Sequence, residues 1–390
     1  MKRFDVAIVG AGPAGSSAAI HLGRKGYSVA LLDKVQFPRE KLCGDFLNPI
    51  NLPVLRELEI DRVVLSCRHE KVTRFRFTSF SGAEAEVPLP GSEDGTFFGL
   101  GMRRSDLDSV LLNKSENEGA TLFPESKLTD LKREAQTWFL QFHRAGVAEE
   151  LEARVLIGAD GRNSWVARRL GLADPRNMQG RSVGFQFRLK GSNRGTGRVE
   201  IHLFPGGYAG IVGLGGGTVN LCLAIEKDRL AAGRPEQFLL DTCLPQNSRL
   251  EQILRCARVS EMRSTYPVYF PTRRAYGEGV LLVGDAARVN EPVTGEGVYF
   301  ALKSGALAAR TVSQAFQKRD FSAHQLSSYE RECRSAFRTR WRINTLIRWL
   351  IYRPALLSPL IRFSGRKPSL LDSIVHTICQ AEPAAGKEFH

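Results

Sequence analysis

Residues 4 to 15 read Phe4-Asp5-Val6-Ala7-Ile8-Val9-Gly10-Ala11-Gly12-Pro13-Ala14-Gly15. The first six are mostly apolar, as a strand buried on both faces of a parallel sheet requires. A helix of small residues follows, Ser16 to Leu22, and then Gly26. A second apolar strand, Ser28 to Leu32, stops at Asp33. Gly10 permits the tight strand-to-helix turn, Gly12 lets the backbone approach a pyrophosphate, and Gly15 lets helix and strand pack closely. Pro13 and Ala14 lead into the helix, whose N-terminus offers free N–H groups and a positive dipole end to an anion. Asp33, with Lys34 beside it, comes 18 residues after Gly15, which suits an acid accepting hydrogen bonds from a ribose 2′-OH. Strand, turn, helix, strand and acid in this order specify a dinucleotide-binding fold. They do not distinguish NAD from FAD.

Two later segments repeat the pattern of an acid at the end of a buried strand. Val155 to Ala159 ends in Asp160-Gly161, and Ser164 to Leu170 then reads as a short helix. Val280 to Val283 leads into Gly284-Asp285-Ala286-Ala287. Pro292-Val293-Thr294-Gly295-Glu296-Gly297 comes next, followed by a long helix from Val298 to about Ala315. Ligands of open parallel sheets bind at such strand ends.

Taken as a set, Gly10-x-Gly12-x-x-Gly15, Asp160-Gly161 and Gly284-Asp285 resemble three fingerprints of one flavoprotein family. That family includes aromatic hydroxylases, flavin halogenases and geranylgeranyl reductases, and the likeness covers roughly residues 1–315. The resemblance implies non-covalent FAD. It implies that the Asp160-Gly161 segment approaches the cofactor and that Asp285 binds ribityl or pyrophosphate oxygens. It also places Pro292, Gly295, Glu296, Gly297 and Val298 near the isoalloxazine. Arg104, in Arg103-Arg104-Ser105-Asp106-Leu107-Asp108, looks like the family arginine that contacts FAD, with Arg103 as the fallback.

Arg39-Glu40-Lys41-Leu42-Cys43-Gly44-Asp45 is similar to the R-x-K-x-C-G segment of the reductase and halogenase branches. Arg39 and Lys41 are placed to offset phosphate charge, Gly44 belongs to the cofactor loop, and Asp45 is assigned to the substrate pocket. Cys43 stands either at the flavin edge, as the one candidate catalytic residue, or as an inert buried thiol. The halogenase W-x-W-x-I-P motif has no match, and Lys71 reads as surface charge. The Y-x-W-x-F-P segment of prenyl reductases corresponds to Tyr208-Ala209-Gly210-Ile211-Val212-Gly213, which keeps the tyrosine and loses bulk at Gly210. Tyr208 and Gly210 are therefore expected in the substrate pocket.

Between the second and third fingerprints, residues 183 to 225 alternate and are punctuated by glycine, as an antiparallel sheet requires. His202 lies on one of these strands, either in the substrate pocket or as a hydrogen-bonded structural histidine. Gly215-Gly216-Gly217 reads as a hairpin turn, because no helix follows it. No second dinucleotide fold is present, so NAD(P)H or a redox partner would serve as a transient electron donor. The expected fold class is α/β. A Rossmann-like FAD-binding domain with a parallel sheet (1–66, 96–175, 270–330) is interrupted by an antiparallel substrate sheet (67–95, 176–269), and C-terminal helices (331–390) complete the chain.

The net charge of the 390 residues is +14. Nine arginines between 331 and 366 contribute to that excess. No nucleic-acid module can be read, which leaves anionic cofactors and membrane surface as partners. Residues 343–363 are apolar but broken by Arg348, Arg353, Pro354 and Pro359, too interrupted for a spanning helix. They read as a cap, as core packing, or as a peripheral membrane contact. The seven scattered cysteines show no metal-ligand spacing, and no apolar leader precedes the first strand. The expectation is a cytoplasmic chain without a metal, with the inner membrane face as a further possibility.

The function expected is an FAD-dependent oxidoreductase acting on a small lipophilic substrate. A monooxygenase working through a flavin C4a-hydroperoxide stands first. A reductase of carbon–carbon double bonds in a prenyl lipid stands second, and a non-catalytic flavin or lipid-binding module a distant third.

Overall fold

The computed structural model describes residues 1–89, 97–173, 180–190, 197–230, 234–260, 262–364 and 369–380. Its first sheet is built around Lys2–Val9, whose buried end is Val6, Ala7, Ile8 and Val9. Val29–Leu32 pairs with it in parallel on one side and Val147–Gly158 on the other. Thr121–Phe123 and Val280–Leu282 extend the parallel order outward. The far half of Val147–Gly158 also carries an antiparallel meander, Thr137–Arg144 and Ser126–Glu134. The strand is thus longer than the apolar run at 155–159 implies, because its first half pairs in a one-sided ribbon and alternates instead of staying apolar.

The helix Pro13–Gly23 packs across the long helix Gly297–Lys318. Gly15 makes the strand-to-helix crossing possible: a Cβ there would lie 1.9 Å from the carbonyl oxygen of Gly10. Gly10 itself holds a φ of +104°, conformational space that glycine reaches without steric cost.

The second sheet runs in the order Arg258–Val259, Ser182–Lys190, Thr218–Glu226, Gly207–Gly213, Arg198–Phe204, Arg74–Thr78, Glu84–Pro88. It is antiparallel except where Arg198–Phe204 and Arg74–Thr78 run in parallel. Gly215, Gly216 and Gly217 all take positive φ and close the hairpin between Gly207–Gly213 and Thr218–Glu226. His69–Val72 departs from the expected division of the chain. It pairs with Gly99–Met102 in a separate three-stranded sheet instead of joining the large one.

The C-terminal stretch forms the helices Ser328–Ile351, Pro354–Ser364 and Ser369–Cys379. Ile351, Ile361, Leu371, Val375 and Cys379 are buried in one cluster with Phe75, Val87, Val199 and Val212 of the second sheet. Residues 343–363 therefore do pack on the core, and no helix among the described residues is long and apolar enough to cross a membrane. The whole is the α/β architecture expected, a parallel-sheet nucleotide fold with an antiparallel sheet and C-terminal helices.

Candidate active site

The ends of Lys2–Val9, Val147–Gly158 and Val280–Leu282 open on a cleft that the second sheet walls on its other side. At the nucleotide end, Gly12 is the N-cap of the first helix and has no side-chain cap. The first-turn N–H groups are thus available to an anion, together with the helix dipole. Asp33 is held in place by its neighbours: its Oδ2 accepts from the Ala11 N–H at 2.9 Å and its Oδ1 from the Val35 N–H at 3.2 Å. Arg39 lies 3.7 Å from both Asp33 and Asp108 and stacks on Phe37, and its Nε is buried without a hydrogen-bond partner among the described residues. Lys41 is partly buried beside Asp285, Arg104 and Arg162. Desolvation holds its ammonium below the usual lysine range, and Asp285 partly offsets this. A bare helix start, an orphaned guanidinium N–H and a desolvated ammonium form a cradle that fits the pyrophosphate of a dinucleotide.

The loop from Lys41 to Asp45 joins this end to the second sheet. Arg104 clasps Asp108 with two bonds, 2.9 and 3.0 Å, and its Nη1 lies 3.8 Å from Cys43 Sγ. The Cys43 carbonyl accepts from Gln186 Nε2 at 2.9 Å, Asn220 Nδ2 at 3.0 Å and Cys222 Sγ at 2.9 Å. Strand register explains this convergence: Gln186 faces Cys222 and Arg188 faces Asn220 across one antiparallel pair. Asp45, at a positive φ of 53°, accepts from the Arg104 N–H at 3.3 Å and forms an ion pair with Arg188 at 2.5 Å. Burial pushes its carboxyl up to about 6 despite that arginine.

On the sheet wall, Tyr208 Oη donates to Glu291 Oε1 at 2.5 Å. Glu291 is fixed from behind by Asn344, which accepts from its N–H at 3.1 Å and donates to its carbonyl at 3.0 Å. Burial pushes the Glu291 carboxyl up to about 7, against the Tyr208 hydrogen bond and the charges of Arg348 and Arg162. The long helix begins at Gly297 with no side-chain cap, and Gly297 and Val298 line the cleft.

Of the residues singled out from the sequence, Gly12, Pro13, Ala14, Lys41, Cys43, Gly44, Arg104, Gly161, Gly284, Asp285, Pro292, Gly295, Gly297, Val298, Tyr208 and Gly210 line the cleft together. Gly10 and Gly15 support it from the turn beneath. Asp33 and Arg39 stand behind that lining, joined by the contact already described, and Lys34 is exposed. Four expected placements need correction. The Asp160 carboxylate is spent on the short helix after it, accepting from Ser164 Oγ at 2.6 Å and from the Trp165 and Val166 N–H groups, so Ala159, Gly161 and Arg162 face the cleft in its stead. Glu296 does not face the cleft; it is buried against Arg340 at 2.7 Å. His202 is packed inside the second sheet, its Nδ1 2.7 Å from Thr78 Oγ1, and does not reach the pocket. Asp45 likewise lies beneath the lining, held by Arg188. Sequence reasoning missed Arg162, Arg188, Glu291 and Arg340. Only the polar alternation of Gln186 and Arg188 within an otherwise apolar strand carried a local signal for any of them.

Residues 3–341 match the FAD binding domain family. The chain belongs to that family and is an FAD-dependent oxidoreductase. It is 30% identical over 346 residues to a digeranylgeranylglycerophospholipid reductase of Methanothrix thermoacetophila, covering 86% of this chain and 84% of that one. It is 30% identical over 317 residues to a menaquinone reductase of Mycobacterium tuberculosis, covering 78% and 75%. Among solved structures, the flavin-dependent brominase Bmp2 superposes with a TM-score of 0.80 at 23% identity, covering 97% of this chain and 93% of that one, a likeness of fold.

Proposed function

We propose that the protein is a reductase that saturates carbon–carbon double bonds in a prenyl-bearing lipid. The observation that carries this reading is the aliphatic wall formed by Val199, Ile201, Val212, Val268, Val289 and Val293 in the same cleft as Cys43 and Gly161. Such a wall suits a branched hydrocarbon chain, which gains by leaving water and asks for few polar partners. The relatives named as reductases support it and weigh against the hydroxylation expected first.

In this reading Gly12, Pro13, Ala14 and Lys41 hold the pyrophosphate of FAD, with Arg39 and Asp33 behind them. Arg104 and Asp285 would hold the ribityl chain, and Pro292, Gly295, Gly297 and Val298 would border the ring. Bound FAD supplies the electron pair, which it receives from a reduced nicotinamide or a redox partner. The uncapped start of the long helix favours negative charge at its end of the cleft. The aliphatic wall excludes water. Tyr208, on the lining, and Glu291, buried behind it, hold a shared proton, and a carboxyl titrating near neutrality is suited to give it up and regain it. Cys43 Sγ, beside Arg104, is another proton-bearing atom on the lining.

The test is to reduce the FAD-loaded protein without oxygen and mix it with a geranylgeranylated glycerophospholipid. Oxidised-flavin absorbance should return as the lipid gains two hydrogens per double bond by mass spectrometry. Reoxidation only on admitting oxygen, with an oxygen atom added to the product, would sink the proposal.

We also infer a peripheral contact with a lipid surface. Leu346, Trp349, Leu356 and Phe363 are about half exposed on the last helices, with Arg353 and Arg362 exposed beside them. Apolar side chains interleaved with arginine suit the boundary between acyl chains and phosphates.

A further inference from the structure

Two guanidinium groups, Arg288 on the cleft lining and Arg348 outside that lining, have no carboxylate partner within salt-bridge distance among the described residues. Arg288 lines the cleft, and its contacts are neutral: Nε to Asn290 Oδ1 at 3.0 Å, Nη1 to Thr272 Oγ1 at 2.7 Å, and the face of Trp341 at 4.2 Å. Arg348, from the helix Ser328–Ile351, lies 3.9 Å from the ring of Tyr269, and its Nε is buried without a hydrogen-bond partner. The two are close enough for Arg348 to act on the charge of Arg288, whose burial already disfavours the cationic form. Arg162 adds a third cation on the lining, but it lies 3.6 Å from Asp285. None of the Arg288 and Arg348 contacts involves the glycine turn at residues 10–15.

Like charges held together in a partly desolvated place cost free energy unless an anion joins them. The nearby acid, Glu291, feels the charge of Arg348 but lies beyond salt-bridge distance of it, and its carboxyl accepts from Tyr208. Stacking on Tyr269 and Trp341 fixes the planes of both guanidiniums and leaves N–H groups to donate, the arrangement that binds phosphate oxygens.

We propose that Arg288 and Arg348 form a phosphate-binding site at the substrate end of the cleft. Resting on the reductase reading, it takes the phosphate of a lipid headgroup or, by the same chemistry, a phosphate of the nicotinamide donor. Where the phosphate is the headgroup's, the site discriminates among prenyl lipids: a phosphate-bearing one is anchored at its head while its chain lies along the aliphatic wall, and a neutral quinone gains no such anchor.

The experiment measures inorganic pyrophosphate binding to the FAD-loaded protein by titration calorimetry, for wild type, Arg288→Gln, Arg348→Gln and the double variant. Arg263→Gln, which loses an exposed contact with Glu40, serves as the control. Flavin spectrum and melting temperature establish that each variant is folded and loaded, and Arg348→Lys keeps the charge where Gln fails. Wild type and Arg263→Gln should bind one equivalent. Each single Gln variant should weaken binding roughly tenfold, the loss of one charge-assisted contact, and the double variant should abolish it. Displacement of pyrophosphate by a geranylgeranylated phospholipid in detergent assigns the site to the headgroup; displacement by NADPH alone assigns it to the donor. No binding by wild type, equal binding by the double variant, or displacement by neither would overturn the site. Binding is read without turnover, so a protein that binds pyrophosphate yet saturates no lipid keeps the anion site and loses the reductase reading.

Discussion

A methyl group added at Gly15 would sit 1.9 Å from a backbone oxygen, and neither the strand end nor the helix start can move without dismantling the turn. Gly15→Ala should therefore lower stability by about 1–3 kcal/mol or more and shed flavin during gel filtration, read as thermal midpoint and absorbance ratio. Glu291 gives a second expectation, with a definite sign. Its carboxyl titrates at about 7 in the folded protein against an ordinary value of 4.5. Between those values the folded state binds a proton that the unfolded chain has released, so its contribution to stability falls as pH rises through the window and is level above it. Glu291→Gln keeps an acceptor for Tyr208 and has no proton to lose. Its melting temperature relative to wild type should therefore rise between pH about 5 and about 8; an unchanged gap would mean the carboxyl is already ionised. The glycine turn was legible because backbone conformation at Gly10 and Gly15 is a local property. Arg188 and Glu291 were not, because their partners, Asp45 and Tyr208, are brought to them by sheet register and packing.

At the scale of elements, the start of the long helix is clamped by the helix Ser328–Ile351 through Arg340 and Glu296, both nearly fully buried. Removing one charge strands the other. Arg340→Met should cost about 3–5 kcal/mol, and adding Glu296→Gln should recover much of it, as urea unfolding of the two variants would register. A double variant no more stable than the single one would mean that packing, not charge, governs the contact. Most strands were legible from their apolar runs or alternation, and the triple-glycine hairpin from its lack of a following helix. His69–Val72 was not, since alternation reveals that a segment is a strand but not which sheet edge receives it. The broken pattern at 343–363 likewise excluded a spanning helix without revealing which surface the stretch covers.

For the whole molecule, an excess of +14 charges and the exposed Leu346, Trp349, Leu356 and Phe363 lead to one expectation. The protein should pellet with vesicles containing phosphatidylserine and much less with neutral ones, and salt should weaken the association. Trp349→Ser with Phe363→Ser should reduce pelleting severalfold without lowering the melting temperature. Retention in the supernatant with both vesicle types would remove the membrane from the account. The Cys43 carbonyl has a different reach. Three side chains of the second sheet hold it from one side while the loop that carries it borders the nucleotide end from the other. A ligand that steadies this loop steadies Ser182–Lys190 and Thr218–Glu226 as well, so loading FAD should slow amide exchange in strands that carry none of its fingerprints. Linkage works in both directions, and on the reductase reading whatever factor the cofactor lends to lipid affinity the lipid returns. Flavin retention then becomes a gauge of substrate occupancy, and the lipid-free protein is the form that gives up its colour first.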